Sequence, residues 1–194
     1  MGKIYCICGK SSTGKDTIYK RILEDKSLDL KTIVTYTTRP IREGEVNGRE
    51  YYFIDENEAD RLEALGKVIE MRAYNTVHGV WKYLTADNGN INLANENYLI
   101  IGTLESFVKI RDYFGREKIV PIYIEVDDGV RLERALKRER RQENPKYEEM
   151  CRRFLADAND FSREKLAEAD VKKIFKNDDL EECIKSIKNY IKKN

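Results

Sequence analysis

The sequence predicts an α/β fold in which helices flank a parallel β-sheet. Short apolar runs such as KIYCIC and IVPIYIEV alternate with amphipathic stretches whose apolar residues recur at helical spacing, and this alternation is typical of parallel sheets. A glycine-rich loop joins the first apolar run to the first amphipathic stretch. The length of 194 residues is enough for one domain with a sizeable core.

The chain begins with a strand, a loop and a helix. Residues 3–8 are apolar on both alternating faces, as in a strand that is covered on both sides. The glycine loop follows directly, and residues 14–24 then show a helical pattern, with Ile18 and Ile22 on one stripe. This order of elements is the context in which a glycine loop becomes informative.

A β-rich segment comes next. TIVTYTTR and REYYFI are strand-like runs with the turn signal Asn47-Gly48 between them. A short helix from Glu56 to Leu65 and two more strands, KVIEMRAY and HGVWKYL, complete the segment. We interpret residues 34–84 as a small mixed insert on a core made of residues 1–33 and 98–194.

The alternation of strands and helices then resumes. YLIIGT predicts a strand that is followed by a helix to about Tyr113. IVPIYIEV predicts a buried strand that begins near Pro121, where the missing amide does least harm. Residues 131–141 form a helical segment with six positive charges and two glutamates.

The C-terminal part predicts two helices around a last strand, VKKIF. The first helix has a regular apolar stripe and is expected to be packed; its members are Tyr147, Met150, Cys151, Phe154, Leu155, Ala158 and Phe161. The second is amphipathic, and Asp178 with Glu181 three residues later marks its start.

The composition excludes several classes of partner. Lys and Arg total 36 and Asp and Glu total 35, so the net charge is +1 and no overall field attracts nucleic acid or a membrane surface. No apolar run approaches the ~20 residues of a membrane span. We expect a cytoplasmic protein, monomeric or homodimeric, that binds neither nucleic acid nor membranes.

The cysteines predict no zinc site. Cys6, Cys8, Cys151 and Cys183 lack paired C-x-x-C spacing, and His78 is the only histidine. Since Cys6 and Cys8 fall in an apolar run and the other two on apolar helical stripes, we expect all of them to be buried and reduced.

The stretch GKSSTGKDT, Gly9 to Thr17, has the spacing of a phosphate-binding loop. Glycines let consecutive backbone N–H groups surround phosphate oxygens, and the helix N-terminus adds its partial positive charge. Lys15 would reach the terminal phosphates.

Asp16 departs from this pattern, which has Ser or Thr after the lysine. Asp16 either coordinates Mg²⁺, directly or through water, or is a first-turn acid favoured by the helix dipole while the phosphates and water hold the metal. The sequence leaves both alternatives open.

The insert supplies a second candidate anion site. Arg39 and Arg42 stand three residues apart, near the flexible turn and the phenol of Tyr51. Guanidinium forks bind phosphate oxygens with defined geometry, so these groups predict a clamp for a second phosphate.

These motifs together resemble the guanylate kinase family, whose P-loop enzymes transfer the γ-phosphate of ATP to GMP. The resemblance rests on the glycine loop, TTRPIREGEVNGREYYF, VIE and KNDDL, and in this order it spans nearly the whole chain. It implies a P-loop NTPase core, an acceptor-binding insert at about 34–84, a helical lid at about 131–147, and the use of ATP and Mg²⁺.

The resemblance also implies roles for individual residues. The residues expected to bind ATP are Gly9, Ser11, Ser12, Thr13, Gly14, Lys15, Asp16, Thr17 and Asn177. The residues expected to bind GMP are Thr35, Arg39, Arg42, Tyr51, Glu70, His78, Gly79 and Thr103. The catalytic candidates are Lys15, Arg138, Arg141 and Arg153, with Arg140 as an alternative lid arginine, and Asp16 is the candidate metal ligand.

Glu70 suits guanine because one carboxylate can accept from both N1–H and the N2 amino group. The family usually places a D-x-D pair where this chain has Ile101 and Thr103, and Y-G-[ST] where it has His78-Gly79-Val80. Asp16 is hypothesised to replace the missing charge near Mg²⁺. These departures keep open a kinase of the same fold with another small phosphate acceptor, such as dGMP or IMP. A non-catalytic guanylate-kinase-like binding module is the other alternative, although such modules generally lack an intact glycine loop and this chain has Gly9, Gly14 and Lys15.

Overall fold

The computed structural model describes residues 1–76 and 79–194. The strands are β1 (Ile4–Cys8), β2 (Leu30–Thr32), β3 (Tyr36–Thr37), β4 (Tyr52–Phe53), β5 (Val68–Thr76), β6 (Gly79–Ala86), β7 (Asn97–Ile101), β8 (Ile119–Glu125) and β9 (Ile174–Lys176). The α-helices are α1 (Lys15–Leu23), α2 (Glu56–Ala64), α3 (Leu104–Phe114), α4 (Asp128–Glu139), α5 (Tyr147–Asp160), α6 (Arg163–Glu168) and α7 (Leu180–Ile191).

The larger sheet is parallel throughout and has the strand order β2-β7-β1-β8-β9. Strand β1 lies at its centre, and all of its residues are buried because both faces are covered. Ile18 of α1 and Ile187 of α7 pack on one face, whereas Phe107 and Ile110 of α3 pack on the other. The predicted α/β fold with a helix-flanked parallel sheet is confirmed.

The smaller sheet is mixed and has the order β4-β3-β6-β5. Its long strands β5 and β6 are antiparallel, but β3 and β4 pair in parallel. The turn at Asn47-Gly48 therefore does not close a hairpin, although Gly48 N does donate to Tyr51 O at 2.8 Å. Helix α2 packs Ala59 and Leu62 against Leu84 and Ala86 of β6.

Helix α5 differs most from the prediction. The expected packed stripe is wrong over α5 itself, where no described residue is buried and Leu155 is 70% exposed. The helix contacts α4 through Asp157 and Phe154, which surround Arg131. Phe161, the last member of the stripe, follows the helix and is buried against Tyr123 of β8, as predicted. Cys151 is exposed, and the prediction that it is buried is also wrong.

Two boundaries and one short helix also differ from the prediction. The N-cap of α7 is Asp179, whose side chain accepts from Glu182 N, rather than Asp178. Strand β8 begins at Ile119, and Pro121 is tolerated inside it because β9 pairs with β8 from Tyr123 onwards. The short helix α6 was not predicted.

The division into core, insert and lid stays a prediction. Within residues 1–76 and 79–194, the helices include none with the length and apolar character that crossing a membrane requires.

Candidate active site

The glycine loop joins the carboxyl end of β1 to α1, and its geometry requires glycine at two positions. A Cβ on Gly9 would lie 2.5 Å from the carbonyl oxygen of Ile124, so the loop passes too close to β8 for a side chain. Gly14 caps α1 in a left-handed conformation with φ 84°, and a Cβ there would lie 2.7 Å from Nδ2 of Asn177. The two glycines therefore set the shape of the loop.

Ser12 carries the clearest sign of a ligand-binding loop. It adopts a positive φ of 63° without being glycine, a conformation that costs of order 1 kcal/mol and is frequent at functional sites. Its buried Oγ has no hydrogen-bond partner within the described chain. A phosphate oxygen would satisfy this hydroxyl, so the loop residues fit the phosphates of ATP.

Lys15 is the first residue of α1, and its side chain reaches back to the loop. Its Nζ donates to the carbonyl oxygen of Lys10 at 3.4 Å. Burial lowers the pKa of its ammonium group, while the negative charges of Asp16 and Asp157 raise it. The long hydrogen bond leaves Nζ able to turn towards a phosphate.

Asp16 and Thr17 are both exposed in the first turn of α1. Among the residues that the structure describes, no group of three His, Cys, Asp or Glu side chains is arranged to hold a metal ion. The exposed Asp16 carboxylate stands where the helix dipole favours an acid, and it is an oxygen ligand of the kind that Mg²⁺ prefers.

Arg131 is a site residue that sequence reasoning missed. Its side chain is 1% exposed. It donates from Nε to Ser11 O at 2.9 Å and from Nη2 to Asp157 Oδ2 at 2.8 Å, and it pairs with Asp128. The same oxygen of Asp157 accepts from the Ser11 amide at 2.7 Å. Arg131 and Asp157 thus attach helices α4 and α5 to the glycine loop.

The predicted lid arginines divide into two groups. Arg153 of α5 donates to Ser11 Oγ at 3.4 Å and so lies at the loop. Arg138, Arg140 and Arg141 are exposed around the C-terminal end of α4, and their side chains make no hydrogen bond to the loop in the described structure. The structure brings Arg153 to the loop but not the other three.

The second candidate anion site is built around Arg39, whose side chain is 3% exposed. Its guanidinium forms a fork to Glu45, with distances of 2.9 and 2.8 Å, and lies 5.4 Å from the centre of the Tyr51 ring. Hydrogen bonding from Arg39 lowers the pKa of the Glu45 carboxyl. Glu45 also accepts from the Arg42 amide at 2.8 Å, which leaves the exposed Arg42 side chain beside this buried pair.

The two anion sites lie close enough to influence each other. Burial is the main reason that the pKa of the Tyr51 hydroxyl is raised, and the neighbouring Tyr83 raises it further. The charges of Arg39 and Arg72 lower this pKa, and the charge of Asp16 raises it. The charge of Asp16 therefore links the clamp electrostatically to the first turn of α1.

The predicted guanine-binding residue Glu70 has a partner that the sequence did not suggest. Its side chain is fully buried, with 0% exposed, and pairs with Arg72 at 2.9 Å. The other oxygen accepts from Thr85 Oγ1 at 2.7 Å. Arg72 Nη1 reaches Thr103 Oγ1 at 3.4 Å, so Glu70 and Thr103 are brought together through Arg72.

Other predicted residues have different positions. Asn177 is buried and donates from Nδ2 to Thr13 O at 2.7 Å, so it supports the loop. The Thr35 carbonyl accepts from Tyr52 N at 2.9 Å, between β3 and β4. Gly79 begins β6 and is exposed, whereas His78 lies outside the described residues.

A cavity of about 460 Å³ lies beside the loop. Its lining includes Lys10, Thr13, Val126 and Lys176. A volume in this range is typical of small-molecule sites. Its position next to Thr13 provides room for a nucleoside whose phosphates extend into the loop.

Comparisons with known proteins agree with this geometry. The sequence model of the guanylate kinase family matches residues 1–83. A guanylate kinase from Malacoplasma penetrans is 31% identical over 138 residues, which cover 70% of this chain and 68% of that protein. A guanylate kinase from Mycoplasma mobile is 29% identical over 204 aligned positions, which cover 99% of this chain and 93% of that protein.

Other matches cover a shorter part of the chain or show only that the fold is similar. A guanylate kinase from Neisseria gonorrhoeae is 38% identical over 100 residues, and there the chain spans about half of the relative, 46% of its length. The crystal structure of guanylate kinase from Anaplasma phagocytophilum has a TM-score of 0.67 and 23% identity, over 98% of this chain and 85% of that one. The match to the Malacoplasma protein is both similar enough and long enough to identify the family, so this chain belongs to the guanylate kinase family.

Proposed function

We propose that this protein is an ATP-dependent nucleoside monophosphate kinase that converts GMP to GDP. The observation that carries the proposal is the presence of two anion sites in one chain, the glycine loop with its unpaired Ser12 hydroxyl and the Arg39 clamp beside Tyr51. The charge of Asp16 in the first turn of α1 acts on the Tyr51 hydroxyl. A kinase of this type needs two phosphate sites that face each other, because donor and acceptor must meet for transfer in line.

The donor side is the glycine loop. Its backbone N–H groups, the unpaired Ser12 hydroxyl and the Lys15 ammonium would hold the phosphates of ATP. Mg²⁺ bound to those phosphates would neutralise charge during transfer, and Asp16 is the residue proposed to hold it. Asn177 maintains the loop by fixing the Thr13 carbonyl.

The acceptor side is the clamp of Arg39, Arg42 and Tyr51. Arg39 donates two hydrogen bonds to Glu45 and one to Pro40 O, and a further hydrogen bond joins it to Tyr83. A guanidinium has five N–H groups, so one donor of Arg39 remains for the acceptor phosphate, together with the exposed Arg42. Glu45 holds the Arg39 fork in place before the acceptor binds.

In the transfer step, an oxygen of the acceptor phosphate attacks the γ-phosphorus, and the bond to the β–γ bridging oxygen breaks to release ADP. Lys15 and Arg153 lie at the loop, where negative charge develops on the transferring group. Arg138 and Arg141 are proposed to join them when the lid closes, and the site would then exclude water.

A kinase with another small phosphate acceptor is the second candidate. One observation favours it: both oxygens of Glu70 already accept hydrogen bonds from Arg72 and Thr85. A non-catalytic module gains no support, because the loop keeps Gly9, Gly14 and Lys15 together with the unpaired Ser12 hydroxyl.

A coupled assay of ADP release tests the function. We expect turnover with GMP in the presence of Mg²⁺, little without it, and none in Lys15→Ala. Turnover with another monophosphate in place of GMP would select the second candidate, and ATP binding without turnover on any acceptor would refute the kinase. A cytoplasmic location and a monomeric or homodimeric state also belong to this proposal.

A further inference from the structure

Arg72 links the smaller sheet to the main sheet. It lies on β5 directly across from Tyr83 of β6, and Tyr83 in turn contacts Tyr51, with ring centres 5.7 Å apart. From this position the guanidinium reaches Thr103, which caps α3 at the end of β7. Arg72 therefore lies between the phosphate clamp and the main sheet.

The Arg72 guanidinium is the more accessible partner of its ion pair. Its side chain is 15% exposed, whereas that of Glu70 is 0% exposed. Both Glu70 oxygens accept from Arg72, at 2.9 and 3.4 Å, and one also accepts from Thr85 at 2.7 Å. The guanidinium is therefore the part of this ion pair that a ligand can reach.

The Arg72 guanidinium keeps one donor and two weak contacts for a ligand. Two of its N–H groups point to Glu70 and one to Thr103, a further hydrogen bond joins it to Tyr74, and a guanidinium has five N–H groups. The contacts to Thr103 and to Glu70 Oε1 are both long, at 3.4 Å. A ligand with two adjacent acceptors would replace them with shorter bonds.

We infer that Arg72 is a specificity-determining residue of the acceptor site, and that its guanidinium donates to the O6 and N7 edge of a 6-oxopurine. The inference rests on the proposed function and says which side chain selects the base of the acceptor nucleotide. Arginine pairs with these two acceptors in a bidentate geometry, and such a pair discriminates strongly against the wrong base. Glu70 acts through Arg72, which it orients.

This assignment differs from direct recognition by Glu70 in what it predicts for IMP. A carboxylate that accepts from N1–H and the N2 amino group would reject IMP, which lacks the amino group. A guanidinium on O6 and N7 accepts GMP and IMP alike. It rejects AMP, because a donor amino group replaces O6.

The experiment compares GMP, IMP and AMP as acceptors for the wild type and for Arg72→Lys. Lysine keeps the charge beside Glu70 but loses the planar fork. In the wild type we expect IMP to retain kcat/KM within about 10-fold of GMP. In the variant we expect kcat/KM for GMP and for IMP to fall roughly 10- to 100-fold because the KM for each acceptor rises. The KM for ATP and the activity on AMP should stay unchanged. Arg61→Lys, on the exposed face of α2, is the matched control.

Two results would overturn the inference while leaving the kinase intact. The first is an active wild-type enzyme whose kcat/KM for IMP is more than about 100-fold below its kcat/KM for GMP. The second is a folded Arg72→Lys with an unchanged acceptor KM. The wild-type comparison decides the question even if the variant does not fold. If the wild type binds nucleotides without turnover, the kinase proposal fails, and calorimetric titration of the same three monophosphates tests Arg72 separately.

Discussion

Replacing Arg131 with methionine should destabilise the protein strongly, although the residue lies in a segment that reads as a charged surface helix. Arg131 is 1% exposed and its partner Asp157 is 14% exposed. The substitution removes the bonds to Ser11 O and to Asp157 and leaves Asp157 with one donor, the Ser11 amide at 2.7 Å. Methionine fills a similar volume, so the electrostatic loss dominates.

The magnitude follows from the burial of this pair. Removing one partner of a buried ion pair costs about 3–5 kcal/mol. We expect the lower end, about 3 kcal/mol, because Asp157 keeps the Ser11 amide and because Asp128, with 55% of its side chain exposed, contributes little. For a chain of this length the loss corresponds to a fall in Tm of roughly 6 to 12 °C.

Thermal and urea unfolding measure the effect. Arg134→Met is the matched control, since Arg134 is an exposed residue on the same helix, and it should change stability by less than about 0.5 kcal/mol. Asp157→Asn, combined with Arg131→Met in a double-mutant cycle, should give a coupling energy of about 1–3 kcal/mol. A fall in Tm no larger than that of the control, or additive single variants, would refute the reasoning.

Three further outcomes are expected. Asn177→Ala should lower the free energy of unfolding by about 1–3 kcal/mol, because the Thr13 carbonyl loses its buried donor at 2.7 Å; an unchanged urea midpoint would argue against this contact. Asp16→Ala should abolish Mg²⁺-dependent turnover while the exposed position leaves stability almost unchanged, and ordinary turnover in this variant would remove Asp16 from the metal site. Burial raises the pKa of the Cys183 thiol to about 11 and that of Cys8 to about 12. Above their usual pKa of 9.0 the unfolded chain loses these protons while the folded protein keeps them, so stability should fall as pH rises from about 9 towards 11. Cys183→Ala should flatten the fall in Tm across this range, and an identical slope in the variant would contradict the assignment.

Local patterns were enough to predict four of the five strands of the main sheet, but not its edge strand β2 at Leu30–Thr32, because the nearby run TIVTYTTR was assigned to the insert. β1, the glycine loop and α1 were predictable because periodicity and glycine spacing are properties of consecutive residues. The boundary at α7 was missed by one position, since Asp178 and Asp179 are adjacent and both are good caps. Sequence alone does not decide which of two neighbouring acids adopts the cap conformation.

Tertiary contacts account for the larger errors. The stripe on α5 has the spacing of a packed helix, but spacing does not specify what covers it, and Leu155 and Cys151 are exposed. Arg131 belongs to a run of six positive charges, and only its burial beside Asp157 separates it from Arg138 and Arg141. The sequence did contain one signal: Arg131 stands four residues before the apolar Ala135 and therefore shares a helix face with it. The structure shows that both residues are buried.

The partners of the site residues were less predictable than the residues themselves. Glu70 and Thr103 were expected near the base, but Arg72 stands in KVIEMRAY like an ordinary strand charge. Its contact to Thr103 joins residues 31 positions apart, so no local pattern indicates it. The fork of Glu45 on Arg39 lies within a short motif, yet the motif alone does not show which group the guanidinium faces.

The most direct measurement is the affinity of a bisubstrate compound in which adenosine and guanosine are joined by a polyphosphate chain that spans ATP and GMP. If the loop with Lys15 and the clamp with Arg39 share one cleft, the compound should bind at least ~10²-fold more tightly than ATP or GMP alone, and Lys15→Ala and Arg39→Ala should each remove this gain. If calorimetry shows that the compound binds no more tightly than ATP, the account is contradicted, because the two phosphate sites then do not bind one molecule together.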